Sequence, residues 1–219
     1  MKVLIFDTET TGLPEERNPS IMDTYKWPHI VQISYILYDT EKKEIITYND
    51  EIIKISDIVK ISKESEKIHG ISEKQCKRQG VLIGEALDRF NEKLIECDMV
   101  IGHNISFDKR LIMVELIRLN KKQYFSDYGK CKKNEFCTMK NTVDLCKIER
   151  INNNGKKYFK YPTLSELHNT LFKTIPKGTH DSMADVLICL RCYIFIVYNY
   201  DITKEGCSNV KQLFKYLCT

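Results

Sequence analysis

Two carboxylates two positions apart, Asp7 and Glu9, follow a short apolar run from Lys2 to Phe6. Side chains alternate along an extended strand, so both acids project to one face, where together they attract a cation. The same pair also suits a polar strand end before a turn at Thr11-Gly12. Asp108 falls in the first turn of a predicted helix, where a carboxylate stabilises the N-terminal dipole by about 0.3–1 kcal/mol without further duty. Asp185 stands three residues after Ser182 and fits a variant capping box. His180 and Asp185 are ~140° apart around a continuous helix. They point the same way only if His180 lies on the preceding loop, which Pro176-Lys177-Gly178-Thr179 supplies. Each residue alone has a structural explanation; chemistry requires that they converge.

The elements that would bring them together are legible in outline. Lys2–Phe6, His29–Tyr38 and Glu44–Ile55 read as a three-strand meander, with Pro14–Pro28 as a surface loop. A short helix is expected from Ser62 to His69, stopped by Gly70, and another from Ile83 to Ile95, leading into a strand at Met99–Ile101. Ser106 is the expected cap of a helix whose buried stripe is Phe107, Leu111, Val114 and Ile117 or Arg118. Lys121–Phe136 reads as a loop and Thr142–Leu145 as a last short strand. Asn152–Lys157 reads as a hairpin tip, and helices are expected at Thr163–Phe172, Ser182–Tyr198 and Ser208–Leu217.

With 219 residues and 42% apolar content, the chain predicts one compact α/β domain over residues 1–219. Its N-terminus, MKVLIFDTETTG, reads as neither a signal nor a transit peptide, and the apolar stretch Val186–Tyr198 is too short to span a bilayer. The expectation is an intracellular protein, cytoplasmic or nuclear, with no membrane partner. The nine cysteines lack paired spacings and fit a reducing compartment. Cys131, Cys137 and Cys146 make no CxxC pair, and no zinc is expected. Net charge is +4, with lysines clustered at Lys121, Lys122, Lys130, Lys132 and Lys133 and at Lys156, Lys157 and Lys160. Such clusters permit contact with a polyanion without requiring it.

Three segments decide between these readings. FDTETTG (6–12), GHNISFD (102–108) and HDSMAD (180–185) resemble, in order and spacing, the three motifs of the DEDDh exonucleases, the family of the proofreading ε subunit of bacterial DNA polymerase III, ribonuclease T and the TREX nucleases. IHGIS (68–72) and YPTLSELHNTLF (161–172) are similar to further ε-type segments. The resemblance covers a motif-bearing core of residues 3–197 and leaves 198–219 as a helical extension. It departs from the family pattern at Ser182-Met183-Ala184 and in the long Pro14–Pro28 loop, which bear on substrate choice.

The resemblance implies an RNase H-like fold, a five-stranded mixed sheet flanked by helices, and a 3′–5′ exonuclease releasing 5′-mononucleotides. Four converging carboxylates repel unless cations neutralise them, and hard oxygen ligands select Mg²⁺ or Mn²⁺. By resemblance two such ions serve as cofactors: Asp7 bridges them, Glu9 and Asp185 complete the first site, and Asp108 holds the second. His180 is the implied general base toward the attacking water. Thr10, Thr11, Gly12, Leu13, Ile68, His69, Asn104 and Phe107 are the implied contacts to the terminal nucleotide, although Ile68 and Phe107 equally suit core packing. The leading expectation is single-stranded DNA as substrate in proofreading or repair, with a DNA polymerase as the partner the family implies; an RNA 3′-end trimming enzyme and an inactive RNase H-like binding module of a polymerase complex are the alternatives.

Overall fold

The computed structural model describes residues 1–127, 130–131 and 133–217. Its centre is a five-stranded mixed sheet of β1 (Lys2–Thr10), β2 (Ile30–Asp39), β3 (Glu44–Ile52), β4 (Met99–Gly102) and a strand at Asn134–Cys137, in the order β3-β2-β1-β4 and then that last strand. The meander β1–β3 is antiparallel. β4 is parallel to β1, and Asn134–Cys137 is parallel to β4. Between the meander and β4 lie helices α1 (Lys63–His69), α2 (Glu73–Gln79) and α3 (Ile83–Glu96); α4 (Ile105–Arg118) follows β4. Two short pairs, β5 (Ser126–Asp127) with β6 (Lys130–Cys131) and β8 (Glu149–Ile151) with β9 (Lys157–Phe159), flank the fifth sheet strand, β7, and helix α5 (Val143–Cys146). Helices α6 (Leu164–Phe172), α7 (Ser182–Tyr198), α8 (Ile202–Glu205) and α9 (Ser208–Leu217) complete the described chain. This is the RNase H-like architecture expected from the motifs.

Helices cover both faces of the sheet, and the parity of β1 sorts its residues between them. Leu4 and Phe6 pack with Leu87, Phe90 and Leu111 of α3 and α4. Val3 and Ile5 pack with Val186, Leu187 and Leu190 of α7. Continuing that alternation, Asp7 and Glu9 fall on the α7 side and Thr8 on the α4 side. The first two acids therefore face the helix that carries Asp185, while Asp108 approaches from the other layer.

Local capping sets where these helices begin. Ser62 caps α1, whose C-terminal Gly70 is left-handed at φ +73°, and Thr163 with Glu166 closes a full capping box on α6.

Several expectations are corrected. Thr142–Leu145 is helical: Thr142 Oγ1 donates back to the Thr138 carbonyl at 2.7 Å, closing a 3-10 turn at Lys140–Thr142 before α5. The fifth strand lies instead at Asn134–Cys137, overlapping the end of the Lys121–Phe136 segment expected to be a loop. It is an edge strand, held by pairing with β4 and half exposed, so it carries no hydrophobic alternation to read. Ser106 does not cap α4; Asn104 holds that position in the left-handed region (φ +68°) with no side-chain cap, and Ser106 is the helix's second residue. The buried stripe of α4 includes Leu111 and Val114, as expected, but Phe107, Ile117 and Arg118 are only half-buried; Ile105, Ile112 and Leu116 complete it. Ser182 with Asp185 is not a capping box, because Asp181 is the cap and accepts from Ala184 N at 3.0 Å. Helix α2 occupies Glu73–Gln79, where the sequence carries no helical periodicity. Lys132 lies outside the described residues, as do the side chains of Lys130 and Cys131. Among the described residues, no helix is long and apolar enough to cross a membrane.

Candidate active site

At the end of β1 the carboxylates of Asp7 and Glu9 meet that of Asp185 from α7, with ligand atoms all within 4.8 Å of one another. Ser182, one turn before Asp185, fastens the two elements: its Oγ donates to the Asp7 carbonyl at 2.8 Å. Ser182 is wholly buried, and its main-chain N–H also reaches Gln32 Oε1 at 3.4 Å. These two bonds set where α7 starts relative to β1 and β2.

Asp108 is buried on α4. Its Oδ1 accepts from Thr8 Oγ1 at 2.7 Å and from Thr8 N at 3.1 Å, the residue between the two strand acids. That link brings Asp108 close enough to raise the proton affinity of both neighbours electrostatically, yet it stands outside the tight group of three.

Burial first, then mutual repulsion, pushes the acids up. Asp7 lies well above the usual carboxylate range, through burial and then Asp108, Asp185 and Glu9. Glu9 is pushed up to about 8 by burial and then by Asp185 and Asp108. Asp108 rises to about 7 through burial, opposed by the Thr8 bonds. Asp185 rises to about 6 through burial, opposed by its bond from His180 N. Asp185 Oδ1 is buried and has no hydrogen-bond partner in the protein. A buried, unpartnered oxygen on a carboxylate that meets two other acids, in an all-oxygen donor set, suits a hard divalent cation.

His180 is on the loop before α7, as its spacing requires, in the left-handed region at φ +72°. Its N–H donates to Asp185 Oδ2 at 3.2 Å, so its bond to the site runs through the main chain while its imidazole is exposed.

The expected nucleotide contacts fall into two groups. Thr10 Oγ1 donates to the Gly12 carbonyl at 2.7 Å, Thr11 Oγ1 accepts from His29 N at 2.9 Å, and His69 Nε2 donates to the Thr10 carbonyl at 3.2 Å. These bonds shape the turn after β1 and leave Leu13 projecting, 84% exposed. His69 Nδ1 in turn accepts from Ile71 N, and burial lowers the ring's proton affinity. Ile68 is exposed, not core. Leu13, Asn104 and Phe107 share a cavity of about 410 Å³ with Trp27, Arg110 and the 14–19 loop. Phe107 packs beside Trp27, whose ring is capped by the Arg110 guanidinium.

Thr8, Asp181 and His103 have no part in the sequence reading, which gives Ser182 a capping role and not its bond to the Asp7 carbonyl. Thr8 and Ser182 are single hydroxyls whose roles depend on partners 100 and 175 residues away. His103 was legible only as the residue before Asn104. Its Nε2 donates to the Pro162 carbonyl and its Nδ1 meets Thr138 Oγ1, both at 3.0 Å, and burial lowers it to about 4.

The family model described as Exonuclease matches residues 4–193 of this chain. No curated protein matches the sequence. Among solved structures, Escherichia coli exonuclease I in complex with a dT13 oligonucleotide superposes with a TM-score of 0.63 at 16% identity, covering 98% of this chain and 43% of that one. Another structure of exonuclease I gives 0.65 at 18% identity, with 98% and 42% coverage. Exonuclease I from the moderately thermophilic Methylocaldum szegediense gives 0.60 at 17%, with 93% and 42%. At these identities the likeness concerns the fold, and this chain spans about two fifths of the length of those proteins.

Proposed function

The chain belongs to the exonuclease family, and from that membership we propose that it is a metal-dependent 3′–5′ exonuclease of the DEDDh type, acting on single-stranded DNA and built as one exonuclease domain. The observation that carries the reading is the meeting of Asp7, Glu9 and Asp185 within 4.8 Å, with Asp185 Oδ1 buried and unpartnered. Two Mg²⁺ or Mn²⁺ ions would be held by Asp7, Glu9 and Asp185, with Asp108 at the second ion. When bound, such ions neutralise the carboxylates, activate water and stabilise charge at phosphorus.

The protein's own groups do the rest. The His180 imidazole, free of internal bonds to the carboxylates and open to solvent, receives the proton of the attacking water. Thr8 holds Asp108, and Ser182 holds Asp7 and α7 in register, so the carboxylates are positioned before substrate arrives. Leu13 projects as a wedge against the terminal base, while Asn104 and Phe107 line the adjoining cavity. The His69 bond to Thr10 fixes the turn that presents Leu13 and the main chain of Gly12. Single-stranded DNA is the favoured substrate because the exonuclease I structures that share the fold hold dT13 and dA16 oligonucleotides.

The test is to incubate the protein with matched, 5′-labelled DNA and RNA oligonucleotides bearing a free or phosphorylated 3′ end. The reading predicts stepwise shortening of unblocked DNA with Mg²⁺ or Mn²⁺, arrest by EDTA, and no cleavage of 3′-phosphorylated ends. Faster shortening of RNA would move the substrate to RNA. Equal rates on blocked and open ends would show an endonuclease, and full activity in EDTA would refute the metal site.

A further inference from the structure

Residues 147–161, KIERINNNGKKYFKY, carry five cations against one anion, a surplus of four that equals the formal net charge of the whole chain. They form the β8–β9 hairpin, in which every strand residue is exposed. Its apolar and aromatic side chains find no core: Ile151 is 67% exposed and Tyr158 49%. A two-stranded hairpin without a packed face is at best marginally stable in water, so an exposed arm of this composition is not explained by the core.

The tip is nonetheless well specified. Asn152 Oδ1 accepts from the N–H groups of Asn154 and Lys156, and Gly155 takes the left-handed conformation at φ +74° that the turn requires. The register pairs Arg150 with Tyr158 and Ile151 with Lys157. Because side chains alternate, one face carries Arg150, Lys156, Tyr158 and Lys160, and the other carries Glu149, Ile151, Lys157 and Phe159. Lys157 is paired with Glu149 at 3.1 Å and Lys160 with Glu166 at 2.6 Å. Among the described residues, Arg150 and Lys156 have no acidic partner, and they flank the Tyr158 ring on a single exposed face.

Cations interleaved with an exposed aromatic ring suit single-stranded nucleic acid, whose phosphates take the charges and whose bases stack on the ring. The arm is also rooted beside the site. β9 leads to Pro162, whose carbonyl accepts from His103 Nε2 at 3.0 Å, and His103 adjoins Asn104 in the cavity shared with Leu13.

We propose that the Arg150–Lys156–Tyr158 face of this hairpin binds the single strand on the 5′ side of the nucleotide being removed, an inference that rests on the exonuclease reading of the carboxylate site. It confers affinity for long strands without taking part in hydrolysis at the 3′ end.

The test is fluorescence anisotropy of a labelled 20-nucleotide oligothymidylate titrated in EDTA over a range of salt, comparing the native chain with Arg150→Glu/Lys156→Glu and with Tyr158→Ala. Loss of two phosphate contacts should reduce the salt slope by about 1.4, from about 0.7 per contact on a single strand. Removal of the ring should weaken binding about five-fold or more. A dinucleotide with Mg²⁺ should be hydrolysed at the native rate by every variant. Arg150→Gln/Lys156→Gln, which introduces no new repulsion, should repeat the change in slope, and coincident melting curves verify the fold. Native affinity and native salt slope in both charge variants would overturn the proposal. If the native protein binds through the hairpin yet hydrolyses neither substrate, the hairpin stands and the exonuclease reading falls.

Discussion

Ser182 Oγ and the Asp7 carbonyl lie 2.8 Å apart, so the helix carrying Asp185 is tied to the strand carrying Asp7 across 175 residues of sequence. A buried hydroxyl at the first turn of α7 thus sets the spacing of the carboxylate group. Ser182→Ala removes the donor without adding bulk and should cost about 1–3 kcal/mol by urea denaturation. It should also weaken metal binding. Native metal affinity with unchanged stability would show that α7 is positioned by its apolar face alone.

A second expectation concerns acid. Burial holds His103 at about 4, below its ordinary value near 6.5, so the folded chain keeps this ring neutral where the unfolded chain protonates it. The unfolded state then binds more protons between those values. His103 therefore favours folding less as pH falls from about 6.5 to about 4, by at most about 3 kcal/mol. Melting curves of the native chain and His103→Gln should diverge over that window, with the variant less sensitive to acid. Parallel curves would contradict the assignment.

The carboxylates have the opposite sign. Glu9 at about 8, Asp108 at about 7 and Asp185 at about 6 all titrate higher in the fold than in the unfolded chain. Without divalent ions the fold binds more protons, and their contribution to stability is lost as pH rises from about 4 through about 8. Divalent ions should expel these protons and restore stability, so the difference in Tm between Mg²⁺ and EDTA should widen with pH. Calorimetry at pH 7 in buffers of different ionisation enthalpy should register net proton release on metal binding. A Tm difference independent of pH, with no proton release, would remove the carboxylates as ligands. The His103 contribution is separable because it persists with and without metal.

Strong periodicity and local punctuation made much of the fold legible. Helix α7 has the expected limits of Ser182 and Tyr198 because a dense apolar run, interrupted by Asp185 and Arg191, lies between a capping acid and Asn199, which adopts the left-handed region. Parity along β1 placed Asp7 and Glu9 on one face. The failures have two causes, information held by a distant partner and local signals too weak or too alike to choose between. β7 is a strand only because β4 pairs with it, and its NEFC sequence has no pattern of its own. Helix α2 buries a single side chain, Cys76, so no periodicity announces it, although the Ser72–Gln75 capping box was there to be read. Asp181 and Ser182 were exchanged in role because adjacent capping residues look alike until the helix start is known.

The central claim is that a carboxylate group holds metal while His180 moves the proton, and the most direct test is single-turnover hydrolysis of 5′-labelled single-stranded DNA by native protein and His180→Ala at saturating Mg²⁺, with metal affinity measured on the same samples. The histidine contacts Asp185 through its main-chain N–H, which alanine retains, so metal affinity should be unchanged. Turnover should fall by about 10²–10⁴, the usual contribution of a general base. Native turnover in His180→Ala, under conditions where chemistry limits the rate, would contradict the account.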